Sequence, residues 1–460
     1  MALAAKGGSG AGAIRPPATA AQRRLWTAEQ LTAGTGEYNV PVALRIHGPL
    51  DTQALLRALG ALLTRHDSLR ATFDVGRGGA LRWAARAPEE CPVRCVDLAR
   101  EADPFEAATA YVDALAWRPF DLGTEVIRLV LLRLADDDHI LLCVGHHVVF
   151  DDWSVTVFFR ELEILYAVAV RGGALSSVLP ALTYGYTDLS LDERRNLTRG
   201  RLEPQLAYWQ DHLADARPLS LPTDAPRADP RTARAAQHRF TLPGELAARL
   251  AARGRSSRAS LFMTLMTGFH VLLREWTGQT DLTVGALVSG RTTPAREALL
   301  TCMVNTLAIR SRAPSGATFT ELLDEVRGHT LAAFAHQEAP IDEVIARLPH
   351  RSDRLPLVQV MFEFQNTTMD AAALLGGAGD VPALPGLRTE AHPVTRLTAR
   401  YDLELAVGAT QDGLCASIVY PTDLFTPETA AALAERYTTI LRTAADTPHE
   451  RQDTRAVRGE

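Results

Sequence analysis

Apolar residues recur at helical spacing over residues 50–64. There Leu55, Leu56, Leu59, Leu62 and Leu63 share a face, and Asp51 stands at the N-terminal end. The rhythm changes at 127–134 and 139–144, two nearly continuous apolar runs with a polar turn over 135–138, which predict a short antiparallel pair of strands. Helical spacing returns over 153–170. Phe158, Leu162, Leu165, Tyr166 and Ala169 form its apolar stripe, and Gly172-Gly173 ends it. A stretch rich in proline and polar residues over 218–232 predicts a connector. Beyond it the pattern predicts helices over 246–253, from a Ser260 cap to Trp276, and over 322–336, with strands at 282–288, 304–309 and 358–364. Strands interrupting helices in both parts predict two mixed α/β halves, and neither a bundle nor a barrel. No short-period repeat is present, which argues against a solenoid.

The chain has 460 residues, enough to bury a large core in about two or three domain-sized units. Its formal net charge is -6 with both signs interspersed, so no basic stripe marks a nucleic-acid partner. The five cysteines, Cys91, Cys95, Cys143, Cys302 and Cys415, are odd in number and scattered, unlike a disulfide framework. Cys91 and Cys95 are followed by no second pair at ligand spacing, so reduced thiols are expected and no metal site. Residues 1–17 are Ala/Gly-rich with Lys6 and Arg15 and lack the apolar centre of a signal peptide, which predicts a flexible leader. The apolar runs are too short to cross a bilayer, so no membrane partner is expected and the predicted location is cytoplasmic.

The segment richest in chemistry is Gly145-His146-His147-Val148-Val149-Phe150-Asp151-Asp152-Trp153-Ser154, set between an apolar strand and an amphipathic helix. Side chains alternate in extended backbone, so His146 and His147 are expected to point in opposite directions, one into a cleft and one into the turn. A carboxylate four residues after His147 can return across the loop to brace backbone or an arginine. An imidazole titrates near neutrality and can take a proton from an attacking amine or hydroxyl, and holding donor and acceptor together supplies much of the acceleration. No G-x-S-x-G elbow is present, which weakens a covalent hydrolase. The segment taken alone also fits a metal site with further ligands elsewhere, or a plain polar loop.

Read with the rest of the chain, His146-His147-x-x-x-Asp151 resembles the His-His-x-x-x-Asp-Gly signature of the condensation domains of nonribosomal peptide synthesis, relatives of chloramphenicol acetyltransferase. Ala21-Gln22-Arg23-Arg24-Leu25-Trp26 resembles the opening motif, followed by Tyr38-Asn39-Val40-Pro41. The stretch from Arg65-His66-Asp67 to Phe73 is similar to the second motif, and Pro119-Phe120-Asp121-Leu122 is a further landmark. Tyr186-x-Asp188 matches the fourth motif in part. Ser289-Gly290-Arg291 precedes Val304-Asn305-Thr306-Leu307-Ala308-Ile309-Arg310, which resembles the fifth. His336-Gln337-Glu338-x-Pro340 resembles the sixth, and Arg351 through Pro356-Leu357 with Val360-Met361-Phe362 the seventh.

The resemblance spans residues 18–448. It implies two acetyltransferase-like α/β halves, at 18–182 and 183–448, arranged as a V-shaped pseudo-dimer around a central tunnel, with a polar tail over 449–460. It implies His147 as the catalytic residue mid-tunnel, orienting or deprotonating an acceptor that attacks a thioester. Asp151 becomes a structural carboxylate with Arg291 as its partner, and His146 part of the same structural motif. Asn305 is assigned to the floor between the halves, Gln22, Arg24 and Trp26 to packing with polar bracing, and Trp153 and Ser154 to the tunnel wall. His66 and His336 are read as structural. No cofactor or metal is implied on the chain itself. The acyl group arrives on the phosphopantetheine of an acyl or peptidyl carrier protein, and the acceptor is a small molecule or a carrier-bound amine or alcohol. The intact histidines disfavour heterocyclisation, and Asn305-Thr306 disfavours epimerisation.

The family's glycine is replaced here by Asp152. Glycine permits positive φ, which aspartate adopts at some cost. A carboxylate at this place is expected to favour a protonated His147, to hold a cationic acceptor amine, or to act as a helix cap. Condensation-like platforms that recruit tailoring oxygenases can carry an aspartate here, though with an altered second histidine. A platform and a coenzyme-A-dependent acyltransferase are therefore kept as alternatives to the condensation enzyme. The Met1 start and polar end suggest a stand-alone protein that borrows its donor.

Overall fold

The computed structural model describes residues 15–447 except 32–33, 77, 228–233, 350–356, 366–382, 395–396 and 411. Most of the leader, the polar tail, the end of the connector and residues 351–356 of the seventh motif lie outside the described residues. Fourteen strands are described. They are β1 (Asn39–His47), β2 (Ala71–Val75), β3 (Leu81–Ala85), β4 (Arg94–Asp97), β5 (Ile127–Ala135), β6 (Asp138–His146), β7 (Arg234–Pro243), β8 (Leu282–Val288), β9 (Asn305–Ser311), β10 (Val360–Gln365), β11 (Arg388–Ala391), β12 (Leu397–Thr398), β13 (Leu403–Thr410) and β14 (Gly413–Pro421).

Two α/β halves result. One sheet runs β11-β1-β6-β5-β4, the other β12-β7-β14-β13-β10-β8-β9, and β2 with β3 forms a separate hairpin. The predicted strand pair is β5 with β6, antiparallel with Leu131 opposite Leu141 and Leu132 opposite Ile140. β1 pairs with the other edge of β6, Asn39 opposite His146. A strand flanked on both edges and covered on both faces is buried throughout, which is why 140–144 reads as a continuous apolar run. β11 comes from late in the chain but adds antiparallel to β1, Leu44 opposite Ala391, so the first sheet borrows a strand from the second half of the sequence.

The helices of the first half include α1 (Ala20–Leu31), α2 (Thr52–Arg65), α3 (Pro104–Ala116) and α4 (Asp152–Val170). Asp51 caps α2 by accepting from Ala54 N at 2.9 Å. Leu55, Leu59 and Leu62 on its inner face are fully buried. The α4 stripe of Phe158, Leu162, Leu165, Tyr166 and Ala169 is at most 2% exposed, each large side chain there contributing roughly 1.5–3 kcal/mol of transfer free energy. Gly172, at φ 71, supplies the left-handed turn beyond the last helical residues.

In the second half the helix Leu261–Thr277 forms the centre of the core, capped by Ser260, whose hydroxyl accepts from Met263 N at 3.2 Å. The helix predicted over 322–336 begins earlier, as Phe319–Ala335, because Thr318 and Glu321 form a capping box that recruits the first turn. The one predicted over 246–253 is Gly244–Ser256. Residues 397–447, to which the pattern assigns no element, hold β12, β13, β14 and the helix Pro427–Asp446.

That core contains a polar misfit. His270, in the middle of Leu261–Thr277, is 0% exposed, and among the described residues neither ring nitrogen has a hydrogen-bond partner. Burial first, then Arg274 and His329, pulls its pKa down to about 3. His270→Leu is expected to raise stability by about 1–3 kcal/mol, because an unsatisfied buried polar group is replaced by a fitting apolar one. The unfolded imidazole takes a proton below about pH 6.5 and the folded one does not, so the wild type loses stability as pH falls through that window. The advantage of the variant must therefore grow between neutral and acid pH. Urea titrations at neutral and mildly acid pH measure both; a destabilised variant would refute the prediction.

Candidate active site

The last residue of β6 is His146, and the chain then turns sharply through His147 to Phe150 before α4 begins. Gly145 permits that turn, since a Cβ there would stand 2.6 Å from the Phe150 ring. The two histidines take different surroundings. His146 is fully buried, with its ring edge-on to Phe120, its Nδ1 accepting from Val148 N at 3.0 Å and its Nε2 3.4 Å from a Glu29 oxygen on α1. Its pKa is lowered by burial against the pull of Glu29. His147 is anchored by its backbone N–H to Tyr38 O at 2.7 Å, and the residue is only partly covered. Among the described residues the buried His147 Nδ1 has no hydrogen-bond partner.

Burial lowers the His147 pKa to about 3, and the guanidinium of Arg400 pulls the same way. Asp151 pulls it up, but less. Desolvation and the facing guanidinium outweigh the carboxylate of Asp151, and the ring is neutral.

Asp151 begins α4 as its N-cap, its Oδ1 accepting from Ser154 N at 2.8 Å and Ser154 Oγ at 2.6 Å. Arg291 closes on it from the second half, with Nη1 2.8 Å from Oδ2 and Nη2 2.9 Å from Oδ1. Both side chains are 1% exposed. Met303 N donates to Oδ2 at 3.2 Å, and Arg291 Nη2 also reaches Thr301 O at 2.9 Å. Burial opposes the Asp151 charge, but Arg291 and Ser154 hold the carboxyl below its ordinary range. This fork stitches the two halves directly beside His147. Gly290 is required for it: its φ is 66, and a Cβ would meet Met303 O at 2.3 Å.

The remaining residues named from sequence brace the same seam. Gln22 Nε2 donates to Val148 O at 3.3 Å and Thr301 Oγ1 at 3.4 Å, linking α1, the histidine turn and the second half. Arg24 reaches Val304 O at 3.2 Å. Trp153 Nε1 donates to Glu297 O at 2.9 Å, and its ring lies 5.7 Å from the Arg291 guanidinium. Asn305 stands away from the imidazole, its Nδ2 donating to Gln337 O and Ala339 O at 2.9 and 2.7 Å and its Oδ1 accepting from Ile341 N at 3.1 Å. His66 lies outside the seam, 2.7 Å from Glu161, and His336 stacks on Tyr208.

Asp152 is the first residue of α4 and has helical, not left-handed, backbone. The cap is Asp151, so the reading of Asp152 as the cap is corrected, and no strain attends the loss of glycine. Asp152 meets water, yet burial, then Asp151, pushes its carboxyl up against the pull of Arg400 and Arg291. Sequence reasoning missed three charged groups that act electrostatically on, or feel, Asp152: Arg400, Glu363 and Glu404. A signal was present: each glutamate interrupts an apolar strand, in Val-Met-Phe-Glu-Phe and Leu-Glu-Leu. Among the described residues no group of three or more His, Cys, Asp or Glu side chains fits a metal ion, and no helix is long and apolar enough to cross a membrane.

Comparison with known proteins gives the same frame. Residues 15–457 match the model of the condensation domain. One of the linear gramicidin synthase proteins of Brevibacillus parabrevis is 37% identical over 440 residues, which cover 94% of this chain and 6% of that protein. Phosphinothricin tripeptide synthetase PhsC of Streptomyces viridochromogenes is 36% identical, with 94% of this chain and 39% of that protein covered. The chain thus spans a small part of the relatives it matches. Among solved structures, the X-domain from teicoplanin biosynthesis superposes with a TM-score of 0.84 at 26% identity, covering 96% of this chain and 98% of that one. The first condensation domain of the calcium-dependent antibiotic synthetase, in complex with a substrate analogue, shares the fold with a TM-score of 0.75 at 22% identity, covering 96% and 98%. With its paired halves, its histidine turn and the Asp151–Arg291 fork between them, the chain belongs to the condensation-domain family of nonribosomal peptide synthesis.

Proposed function

We propose that the protein joins a carrier-bound acyl or aminoacyl thioester to an amine, forming an amide, with His147 as the catalytic residue. The acceptor nitrogen bonds to the thioester carbonyl carbon, and the carbon–sulfur bond breaks. The proton lost by nitrogen passes to His147 Nε2 and then to the departing sulfur, so no oxidant or further reactant is consumed. The observation that carries this reading is a neutral, partly accessible imidazole standing at the seam, beside a buried ion pair that ties the halves together. Asp151, Arg291, Ser154 and Gln22 act on position, fixing the turn that presents the ring. The donor arm is the phosphopantetheine of an acyl or peptidyl carrier protein. An alcohol acceptor, giving an ester, fits the same geometry.

Intact-mass measurement of an acyl-loaded carrier, with and without amine acceptors, tests the proposal. Acceptor-dependent loss of the acyl group with appearance of the amide is the expected result; acyl groups left in place with every acceptor would reject it. Equal rates from acyl-coenzyme A would replace the carrier with a free thioester donor.

A second reading, a docking platform, has one observation in its favour. The X-domain of teicoplanin biosynthesis, also solved in complex with OxyB, is similar to this chain at 26% identity. Binding of a carrier and an oxygenase without turnover, unchanged in His147→Ala, would establish that reading in place of condensation.

A further inference from the structure

The helix that braces the histidine turn is itself held from outside, by a carboxylate on a helix that contributes nothing else to the site. In α5 (Tyr186–Thr198) the residues Tyr186, Leu189 and Glu193 stand three and four positions apart and share one face. Tyr186 and Leu189 are 6% and 4% exposed, so that face is turned inward. Glu193 extends it toward α1, where its Oε1 accepts from the backbone N–H of Ala20, the first residue of that helix. The two residues are 173 positions apart in the chain.

The first turn of a helix leaves N–H groups without partners inside the helix. In α1 a local cap meets part of this need. Gln22 N donates to Thr19 Oγ1 at 3.3 Å, and Thr19 N donates to Gln22 Oε1 at 3.0 Å. Ala20 N–H lies outside that cap and is met from α5. The same first turn reaches the histidines through Gln22, which is 0% exposed. Its Oε1 closes the cap, while its Nε2 donates to Val148 O at 3.3 Å and Thr301 Oγ1 at 3.4 Å. Val148 follows His147 directly. A short series of hydrogen bonds therefore runs from Glu193, through the first turn of α1, to the backbone beside the imidazole.

We propose that Glu193 is a positioning residue for the acyl transfer, its carboxylate holding the first turn of α1 and, through Gln22, the turn that presents His147. The role in turnover rests on the condensation reading, whereas the hold on α1 does not require it. A cavity of about 790 Å³ lies beside these contacts, with Glu193 in its wall, so the carboxyl can exchange its proton without repacking the seam. Facing it are Arg23 and Arg24 on α1, Arg296 beyond Gly290, and Glu338 and Asp342 of the second half. The Cys302 thiol, also in the wall, is pushed up to about 12 by burial and stays protonated. Burial pushes the Glu193 carboxyl up to about 7, against the pull of Ala20 N–H and Arg23. The ionised carboxylate is the stronger acceptor, so the hold tightens as pH rises through that value and slackens below it.

Steady-state kinetics of the full chain with an acyl-loaded carrier and an amine acceptor, between about pH 6 and pH 8, provide the test. Glu193→Gln keeps an oxygen for Ala20 N–H but no charge; Glu193→Ala keeps neither. The alanine variant is expected to lose about ten-fold or more in kcat at the alkaline end, the worth of a hydrogen bond to a charged group, at unchanged acceptor KM. The glutamine variant should recover part of that loss. The ratio of wild-type to glutamine kcat cancels the titration of the acceptor amine, and His147, held down to about 3, does not titrate in this range. That ratio is expected to rise from near one at the acid end to about three-fold or more at the alkaline end. A purely structural role would move the denaturation midpoint and leave the ratio flat. Wild-type kcat in the alanine variant, a raised KM at unchanged kcat, or a flat ratio overturns the proposal.

Hydrogen exchange separates this from failure of the parent reading. Peptides covering residues 18–31 and 144–152 are expected to exchange faster in Glu193→Ala than in the wild type at the same pH, and more slowly again in Glu193→Gln. That pattern with no product from any acceptor would retain the hold on α1 and discard condensation. Product formed at the wild-type rate by Glu193→Ala, with exchange unchanged, would retain condensation and discard the hold.

Discussion

Replacing His147 with alanine is expected to lower kcat/KM for amide formation by about 10²–10⁴-fold, the contribution typical of a positioned proton acceptor. The fold should be untouched. His147 is only partly covered, and its buried Nδ1 makes no hydrogen bond among the described residues that truncation would break. The turn itself is held by backbone, through His147 N–H to Tyr38 O and His146 N–H to Val126 O. A pH series adds a readout of the ring's neutral state. Because burial and Arg400 hold the folded imidazole down to about 3, the wild type binds fewer protons than its unfolded chain below about pH 6.5 and loses stability there. The alanine variant lacks that loss and should become the more acid-resistant protein while being the inactive one. Turnover assays with intact-mass detection, and urea midpoints at neutral and acid pH, check the two halves of the prediction. Product at the wild-type rate would remove His147 from catalysis.

The largest effect on stability is expected from Arg291→Ala. The Asp151–Arg291 pair is 1% exposed on both sides, and removing one member leaves the other charged and enclosed. Breaking a buried pair in this way costs about 3–5 kcal/mol, and here the loss falls on the contact between the halves. The sign of its pH dependence is diagnostic. In the wild type the depressed Asp151 carboxyl contributes stability above its unfolded pKa, near 4, and that contribution is lost as pH falls through the folded value. In the variant the lone carboxyl is pushed upward by burial, so acid relieves it and the deficit shrinks as pH falls. Denaturant titrations of both proteins between neutral pH and pH 5 measure this; a deficit that widens in acid would show that Asp151 is not left charged. Asp151→Asn with Arg291→Met, which removes both charges, should recover much of the loss.

Much of this molecule is legible without coordinates. The continuous apolar run at 140–144 announces a strand covered on both faces, and β6 is the central strand that receives β1 on one edge and β5 on the other. The stripe on 153–170 lies within the buried face of α4, which also takes in Val155, Val157, Phe159 and Glu161. Such features depend on local periodicity, which side-chain geometry imposes on any helix or strand. Boundaries are less legible: Thr318 draws the helix Phe319–Ala335 three residues earlier than the apolar pattern begins, because capping is a polar signal. The strands β13 and β14 are not legible at all. Their apolar residues alternate with glutamate, serine and glycine, a weak pattern until a sheet face and a cleft give each side its solvent.

The sequence by itself determined the family, through motifs spread from Gln22 to Pro340, and the turn that carries the histidines, since those depend on residue identity and spacing alone. Charge balance around His147 and Asp152 was decided only by the tertiary structure. Arg400 is 253 positions from His147 and Glu363 is 211 from Asp152, and nothing in periodicity relates them. Folding brings them within electrostatic reach of one another, where the strength of each interaction is set by distance and by the exclusion of water. Burial and Arg400 lower the His147 pKa while burial raises the carboxyls of Asp152 and Glu363, and that balance is a property of the assembled fold, not of any one segment.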